Sequence, residues 1–285
     1  MDHSAIQPLN RVLLQLGPIT VYWYAVLILT GVIVGLQLAI NEGKKMNIDP
    51  DFFYDLVLYG FPIGIIGARL YYVIFNWGMF SQHPERIIRI WEGGLAIHGS
   101  LIAVFIFGWF FSKRHNITPW LIADIAGTSY LIAQAIGRWG NFMNQEAHGG
   151  IVPGQTLDAQ REFLRSLFIP NFVVDNMFIN GDYYHPTFLY ESIWNLIGFL
   201  IVIFVLRKMS KLLVGEIGAF YAIWYSIGRY YIEAMRTDSL MLTETIRVAQ
   251  FISIITIIGV LGLLIGRRLM KKNLKTYQSF YTQKV

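Results

Sequence analysis

Long apolar segments separated by short polar stretches dominate the pattern of hydrophobic and polar positions along this chain. A helix needs about 20 predominantly apolar residues to cross the hydrocarbon core of a bilayer. The pattern therefore predicts an all-α, polytopic membrane protein with seven transmembrane helices. The predicted spans are residues 19–40, 56–75, 95–111, 119–136, 186–206, 212–232 and 248–265.

The composition agrees with a membrane protein and excludes several other classes. Of 285 residues, 55% are hydrophobic and 14% are charged, whereas soluble domains carry roughly 25% charged residues. The chain has no cysteine, which excludes disulfides, thiolate metal sites and a thiol nucleophile on the protein itself. The net charge of +5 does not indicate nucleic acid, because the basic residues lie between apolar runs and at the C-terminus. The N-terminus lacks the basic region and the cleavage site of a signal peptide, so we expect the first span to be retained.

The distribution of Lys and Arg among the loops predicts the orientation, because cytoplasmic loops carry an excess of both. The excess falls on the inner side if the N-terminus lies outside, and the inner tail then includes Lys271, Lys272 and Lys284. We therefore predict that the C-terminus lies inside. Three outward-facing segments follow from this orientation, namely residues 76–94, 137–185 and 233–247.

The long outer segment has a composition of its own. Loops of this length are usually functional or disordered, but residues 142–185 are rich in Tyr and Phe, which is too aromatic a composition for disorder. We expect these residues to form an extracytoplasmic insertion, a small cap at the membrane interface. The rest of residues 1–285 is expected to form a single membrane domain around it.

The candidate chemistry lies in ionisable residues inside the predicted spans or at their ends. Each costs at least about 2.5–3.5 kcal/mol at the helix centre, so such residues usually face a cavity and have a partner. Residues 137–146, GRWGNFMNQE, lie at the outer end of the fourth span. If the helix continues, Arg138, Asn141 and Gln145 share one face. Such a donor-rich cluster suits a phosphate oxygen, although a helix-end arginine that snorkels to the interface is the alternative.

The sixth span carries a second cluster at helical spacing. Tyr225, Arg229 and Glu233 are spaced i, i+4, i+8 along one side of the helix, and Arg236 follows Arg229 at i+7. Arg229 and Glu233 are compatible with a structural ion pair and equally with phosphate binding. Both interpretations hold together if Glu233 orients the guanidinium of Arg229.

Four single residues complete the candidates. His98 lies near the outer end of the third span, and a histidine suits proton transfer at neutral pH, although a lone histidine is also often a packing residue. Glu191 lies inside the fifth span and needs a partner, which we expect to be an arginine. Arg69 and Tyr24 give weaker signals. For Tyr24, the ordinary interpretation is an anchor, because aromatic residues are common at a membrane interface. The residues alone indicate an anionic lipid or amphiphile bound within the bilayer, and they leave a transferase, a flippase, a transporter and a non-catalytic scaffold open.

Several blocks, taken in order, resemble one known family. Residues 137–146 closely resemble the signature of the prolipoprotein diacylglyceryl transferase family, from which Trp139 and Gln145 depart slightly. The resemblance extends over nearly the whole chain, from residues 22–24 to the last span. The other matching blocks are Glu92-Gly93-Gly94 with His98-Gly99, His185-Pro186-Thr187 with Tyr190-Glu191, and Gly228-Arg229 with Glu233 and Arg236.

The resemblance implies a specific reaction. Members of the family transfer the diacylglyceryl group of phosphatidylglycerol to the lipobox cysteine of preprolipoproteins, forming a thioether and releasing glycerol phosphate. It also implies a multi-pass protein of the bacterial cytoplasmic membrane, with the active site toward the outer leaflet. The missing cysteine fits, because the nucleophile belongs to the substrate. A membrane transporter or flippase of an anionic lipid remains the alternative, although no repeat-related spans are visible.

The resemblance also implies roles for individual residues. Arg138 and Arg229 are expected to hold the lipid phosphate and the leaving group, and His98 is the candidate base for the thiol, with Tyr225 as a competitor. The expected partners are phosphatidylglycerol, preprolipoprotein signal peptides with a lipobox cysteine, and membrane lipids, without nucleic acid. No metal and no cofactor is expected. The expected substrate-binding residues are Arg138, Asn141, Glu146, Tyr24, Glu233 and Arg236.

Overall fold

The computed structural model describes residues 9–243, 246–270 and 274–282. Lys271, Lys272 and Lys284, which contribute to the predicted orientation, lie outside this part of the chain. The described strands are β1 (Val12–Leu16), β2 (Ile19–Tyr22), β3 (Phe178–Ile179) and β4 (Asp182–Tyr183). The described helices are α1 (Trp23–Lys45), α2 (Pro50–Phe75), α3 (Trp77–Phe80), α4 (Ile97–Arg114), α5 (Pro119–Asn144), α6 (Leu157–Ser166), α7 (Asn171–Asn176), α8 (Thr187–Phe204), α9 (Glu216–Met235) and α10 (Val248–Met270).

The long helices follow the predicted apolar segments in order. Within the described ranges, four helical segments are long and apolar enough to cross a membrane by length and composition. The helices α4, α5 and α9 fall outside this set because their sequences include more polar and charged residues. The number of spans and the orientation therefore remain predictions. The four segments are Trp23–Lys45, Pro50–Phe75, Thr187–Lys208 and Val248–Leu269.

The predicted start of the first span, at residue 19, was wrong. Ile19–Tyr22 form strand β2, which pairs antiparallel with β1, and helix α1 begins only at Trp23. Gly17 turns the chain between the two strands with a positive φ of 59°, a conformation that glycine adopts without steric cost. The β-branched residues of β2 favour the extended conformation, so a local hairpin replaces the first helical turn.

The fourth predicted helix continues past residue 136, as the shared face of Arg138 and Asn141 requires, but it does not include Gln145. Helix α5 ends at Asn144, and Gln145 has a positive φ of 51°. Its side-chain amide donates to the backbone carbonyl of Asn176, at 3.0 Å. Gln145 therefore does not share a helical face with Arg138 and Asn141.

The described residues within 1–38 and 124–279 form one compact unit, within which α5, α8 and α9 pack together. The buried Asp124 on α5 accepts hydrogen bonds from the backbone amides of Gly215 and Gly218, at 2.6 and 2.8 Å. These amides lie at the start of α9, where the first turn has donors without partners in the helix. A carboxylate from one helix thus completes the N-terminus of its neighbour.

The segment between α5 and α8 belongs to the same unit and has a small core of its own. Helices α6 and α7 and the β3–β4 hairpin fold around Leu164, Val173 and Tyr183, each fully buried. Arg161 forms an ion pair with Asp175 at 2.5 Å. This core begins at Phe142 and ends at Leu189, so it joins the inserted segment to the ends of α5 and α8.

Residues 39–123 and 280–282 belong to the second compact unit, in which α2 and α4 pack side by side. Arg69 on α2 is buried, and all its guanidinium nitrogens donate to backbone carbonyls. A buried cation is tolerated when hydrogen bonds satisfy it, so this arginine fixes the loop that leads into α4. The acceptor carbonyls belong to Arg86, Ile87, Arg89, Gly93 and Gly94.

Candidate functional site

One carboxylate contacts two arginines from two other helices. Glu191 on α8 forms an ion pair with Arg138 on α5 through the arginine Nε, and another with Arg229 on α9 at 3.0 Å. The exposed fractions of the three side chains are only 7%, 21% and 18% respectively. Glu191 thus finds the arginine partner that its position in an apolar helix requires.

The two arginines differ in the number of N–H donors that remain available to an anion. Arg229 also pairs with Glu233 at 2.6 Å, the contact that their i, i+4 spacing predicts, so both of its terminal nitrogens face carboxylates. Arg138 uses Nε for Glu191, and among the described residues its two terminal nitrogens have no hydrogen-bond partner. Arg138 is therefore the guanidinium with free donors for an anion, while Arg229 is held by two carboxylates.

Tyr225 lies beside this charged cluster. It precedes Arg229 by one helical turn on α9, and its ring stacks on that of Tyr221 with centroids 6.1 Å apart. Tyr225, Arg229 and Glu191 line a common cavity of about 10 Å³. The phenol is therefore in the immediate surroundings of the ion pair.

The end of α5 forms a small polar ring. The side-chain amides of Asn141 and Asn144 donate to the same carboxylate oxygen of Glu146, at 3.1 and 3.2 Å. The backbone amide of Glu146 also donates to the carbonyl of Asn141, at 3.0 Å. Glu146 is exposed, so this ring presents a carboxylate and two carboxamides next to the helix end.

Tyr24 on α1 packs against Gly140, in the same segment of α5. A Cβ atom at Gly140 would lie 2.8 Å from the tyrosine ring, which is closer than two carbon atoms can approach. The side chain of Tyr24 is partly exposed. The glycine therefore allows the aromatic ring to lie close to the helix that carries Arg138 and Asn141.

Arg236, at the C-terminal end of α9, is held by a neighbour. Its guanidinium donates to both carboxylate oxygens of Asp238, at 2.8 and 2.6 Å. These hydrogen bonds from Arg236 lower the pKa of the Asp238 carboxyl below its ordinary value. A lipid head group would have to compete with Asp238 for this guanidinium.

His98 lies in the other compact unit, as the second residue of α4. Its side chain is exposed, and its ring centroid is 6.1 Å from that of Tyr71 on α2. The role of His98 as the base remains a prediction.

Four of the predicted site residues come together around Glu191 in the first unit. They are Arg138, Arg229, Glu233 and Tyr225.

The sequence predicted one contact at the site only in part and did not predict another. Glu191 was expected to meet one arginine, whereas it meets Arg138 and Arg229. Its signal was an acidic residue inside an apolar segment, but the second partner depends on how three helices pack. Asp238, two residues after Arg236, was not singled out at all.

Across the described ranges there is no group of three or more side chains suited to a metal ion.

Comparison with known proteins decides the family. A model described as prolipoprotein diacylglyceryl transferase matches residues 11–266. The chain belongs to the prolipoprotein diacylglyceryl transferase family. Over 276 residues it is 50% identical to the phosphatidylglycerol–prolipoprotein diacylglyceryl transferase of Bacillus licheniformis, covering 97% of this chain and 99% of that protein.

Two further relatives have the same name. The Bacillus velezensis protein is 51% identical over 94% of this chain and 95% of its own length, and the Geobacillus kaustophilus protein is 50% identical over 93% and 95%. Membership of the prolipoprotein diacylglyceryl transferase family confirms the resemblance drawn from residues 137–146 and the ordered blocks. The chain is therefore a transferase and a membrane protein.

Proposed function

We propose that this chain transfers the diacylglyceryl group of phosphatidylglycerol to the lipobox cysteine thiol of a preprolipoprotein. The observation that carries the proposal is the pair Arg138–Glu191, in which a largely buried guanidinium keeps both terminal nitrogens without a partner in the described part of the chain. A planar guanidinium with free N–H groups suits a phosphate better than a lone ammonium does. Family membership supplies the reaction for which such a group is needed.

The reaction is a displacement at a glyceryl carbon. The cysteine sulfur attacks the carbon that bears the phosphate ester, a C–S bond forms, and the C–O bond to the phosphate breaks. The electron pair of that bond passes to the phosphate oxygen, so glycerol phosphate leaves and a thioether remains. The thiol proton passes to a base on the enzyme.

The charge on the departing phosphate needs a partner in a low-dielectric site. Preorganised cations stabilise such charge strongly, because no solvent has to reorganise at the moment of reaction. Arg138 provides this interaction through its terminal nitrogens. Arg229 assists by holding Glu191 in place and by offering its Nε, since Glu191 and Glu233 engage its terminal nitrogens.

Two residues compete for the thiol proton. A free thiol has a pKa of about 8.5 and must be deprotonated to attack. Histidine titrates near neutral pH, whereas tyrosine is a poorer base because its ordinary pKa is about 10. His98 is therefore the first candidate, and Tyr225 is the second because it lies beside Arg229.

The remaining predicted residues would position the substrates. Asn141 and Glu146 would hold the head group, Tyr24 would line the lipid entrance, and Arg236 would bind the head group after exchange with Asp238. The inserted segment 142–185 would receive the lipobox peptide. We further propose a location in the bacterial cytoplasmic membrane, with the N-terminus outside and the site toward the outer leaflet.

The test uses purified protein in detergent with phosphatidylglycerol and a lipobox peptide. We expect the peptide thioether and free glycerol phosphate to appear in equal amounts. The comparison of His98→Gln with Tyr225→Phe then assigns the base, because the variant that lacks it should lose transfer at neutral pH. Lipid movement without any thioether would instead support a flippase and overturn the proposal.

A further inference from the structure

A small cavity borders the contact between Glu191 and Arg229. Its volume of about 10 Å³ is at the lower limit for a cavity that holds one water molecule. Glu191 and Asn195 line it from α8, and Tyr225 and Arg229 line it from α9. The other lining residues are Trp194, Gly228 and Ile232.

Asn195 is the unexplained member of this cavity. It lies one helical turn after Glu191 in a candidate membrane span, and only 2% of its surface is exposed. Its amide oxygen, Oδ1, has no hydrogen-bond partner among the residues that the structure describes. Buried side-chain amides in native proteins almost always have a partner, and the need is stronger inside a bilayer, where no bulk water is available.

A neighbouring residue on the same helix shows that burial alone does not explain the missing partner of Asn195 Oδ1. Ser192 is buried too, but its hydroxyl donates to the carbonyl of Ala135 at 2.8 Å and accepts from the indole of Trp139 at 3.2 Å. Polar groups on α8 thus find partners where the packing provides them. Asn195 differs because it lines the cavity and its Oδ1 has no hydrogen-bond partner among the described residues.

We propose that Asn195 is a positioning residue, whose amide oxygen accepts a hydrogen bond from a single O–H donor seated in this cavity against Glu191 and Arg229. A water molecule has two O–H groups and two lone pairs, so it can donate to Asn195 and Glu191 and accept from Arg229 or Tyr225. A hydroxyl of the lipid head group has the same chemistry with one donor fewer. This role rests on the proposed transferase function, because bracing Glu191 would keep Arg138 oriented toward the lipid phosphate.

Kinetic measurements test the role in transfer. Asn195→Leu keeps the volume and removes the amide, and Asn195→Ser restores a small polar group that leaves room for a second water. We expect Asn195→Leu to lower kcat about tenfold, the factor for one lost hydrogen bond, with Asn195→Ser recovering most of the loss. An unchanged KM for phosphatidylglycerol would identify water as the donor, whereas a raised KM would identify the lipid hydroxyl.

Two controls keep the test decisive. Ser253→Ala removes another buried polar group from a span. In the described structure the Ser253 hydroxyl donates only to a carbonyl of its own helix, so this variant should leave kcat and KM unchanged. If Asn195→Leu does not fold, Asn195→Ala takes its place, because Ala and Ser differ by one oxygen. Wild-type kinetics in a folded Leu or Ala variant would overturn the proposal.

A structural measurement separates this proposal from the transferase function. A map of the wild-type protein at a resolution that shows internal waters should contain a peak within hydrogen-bond distance of Asn195 Oδ1. Such a peak supports the site even if the purified protein forms no thioether, which would count against the proposed function alone. A map that shows other internal waters but none here, with or without lipid, would overturn the site.

Discussion

Trp194 on α8 and Trp224 on α9 hold each other reciprocally. The indole nitrogen of each donates to the backbone carbonyl of the other, at 2.8 and 2.9 Å, and the two rings stack with centroids 4.2 Å apart. Glu191 lies one turn before Trp194, and Arg229 lies just over one turn after Trp224. The tryptophan pair therefore fixes the spacing of the two helices at the point where the charged cluster forms.

The first prediction concerns Gly228, which leaves room for this pair. A Cβ atom there would lie 2.4 Å from the indole of Trp194, so Gly228→Ala must push α8 and α9 apart. Overpacking of this kind typically costs 1–3 kcal/mol, and the separation should also weaken Glu191–Arg229. We expect a lower Tm in detergent and a lower transfer rate.

A matched glycine on another helix provides the control. Gly259 on α10 has no described neighbour within 4 Å of an added Cβ, and alanine is the better helix former by about 1 kcal/mol. Gly259→Ala should therefore keep or raise the Tm and leave transfer unchanged. Equal behaviour of the two variants would refute the role of the tryptophan pair.

The second prediction concerns the shared carboxylate. Glu191→Gln keeps the shape but removes the negative charge between Arg138 and Arg229, so two partly buried cations lose their common partner. Removing one member of a buried ion pair is strongly destabilising, and we expect a lower Tm together with a transfer rate reduced at least tenfold. The control is Glu85→Gln, since that carboxylate is 53% exposed, pairs only with His83 at 3.4 Å among the described residues, and lies outside the proposed site. Normal transfer by Glu191→Gln would contradict the assigned role.

The third prediction separates two glycines on α5. Gly140→Ala would drive a methyl group into the ring of Tyr24 at 2.8 Å, whereas Gly137→Ala would meet only the flexible end of Ile28 at 3.1 Å. If Tyr24 lines the lipid entrance, Gly140→Ala should raise the KM for phosphatidylglycerol several-fold. Gly137→Ala should change KM much less. Titration of transfer against lipid concentration measures both, and identical KM values would argue against a role for Tyr24.

The fourth prediction is a pH dependence of stability. Burial lowers the pKa of His185, whose Nδ1 lies 3.3 Å from the hydroxyl of Tyr190. Below the unfolded pKa of about 6.5, the unfolded chain binds a proton that the folded chain does not. Stability should therefore fall as the pH decreases from about 6.5 toward the lower folded pKa, and it should not depend on His185 above 6.5.

Thermal melts between pH 8 and pH 5 measure this effect. His185→Gln should reduce the slope below pH 6.5, whereas the exposed His83, which pairs with Glu85 at 3.4 Å, should leave the slope intact when changed to Gln. A wild-type slope in His185→Gln would show that burial of this imidazole does not control the acid response.

The sequence predicted the long helices because apolar length is a strong local signal. It missed the β1–β2 hairpin, since residues 19–22 are as apolar as the helix that follows and only the turn at Gly17 distinguishes them. It left open whether the fourth helix continues through Gln145, whose side chain is held by Asn176, a partner 31 residues away. Local patterns therefore predicted the long helices better than their ends or the hairpin that precedes α1.

In the candidate site, too, the sequence predicted contacts within one helix but not contacts between helices. The i, i+4 spacing was enough to predict that Arg229 meets Glu233. The convergence of Arg138 and Arg229 on Glu191 depends on three helices packing together, which spacing within one helix cannot reveal. Arg69 likewise looked weak in sequence, because the carbonyls that surround it come from a loop whose path only the fold defines.

Arg138 is proposed to hold the phosphate of the lipid as it leaves. The single-turnover rate of thioether formation by Arg138→Lys tests this role, because lysine keeps the charge but loses the planar donors. The control is Arg268→Lys on α10, since that guanidinium also pairs with a carboxylate but is 58% exposed and lies outside the proposed site. We predict a fall of about 10²–10³ for Arg138→Lys, the usual effect of removing a donor that stabilises developing charge, and no change for Arg268→Lys. A wild-type rate for Arg138→Lys would contradict the role of Arg138.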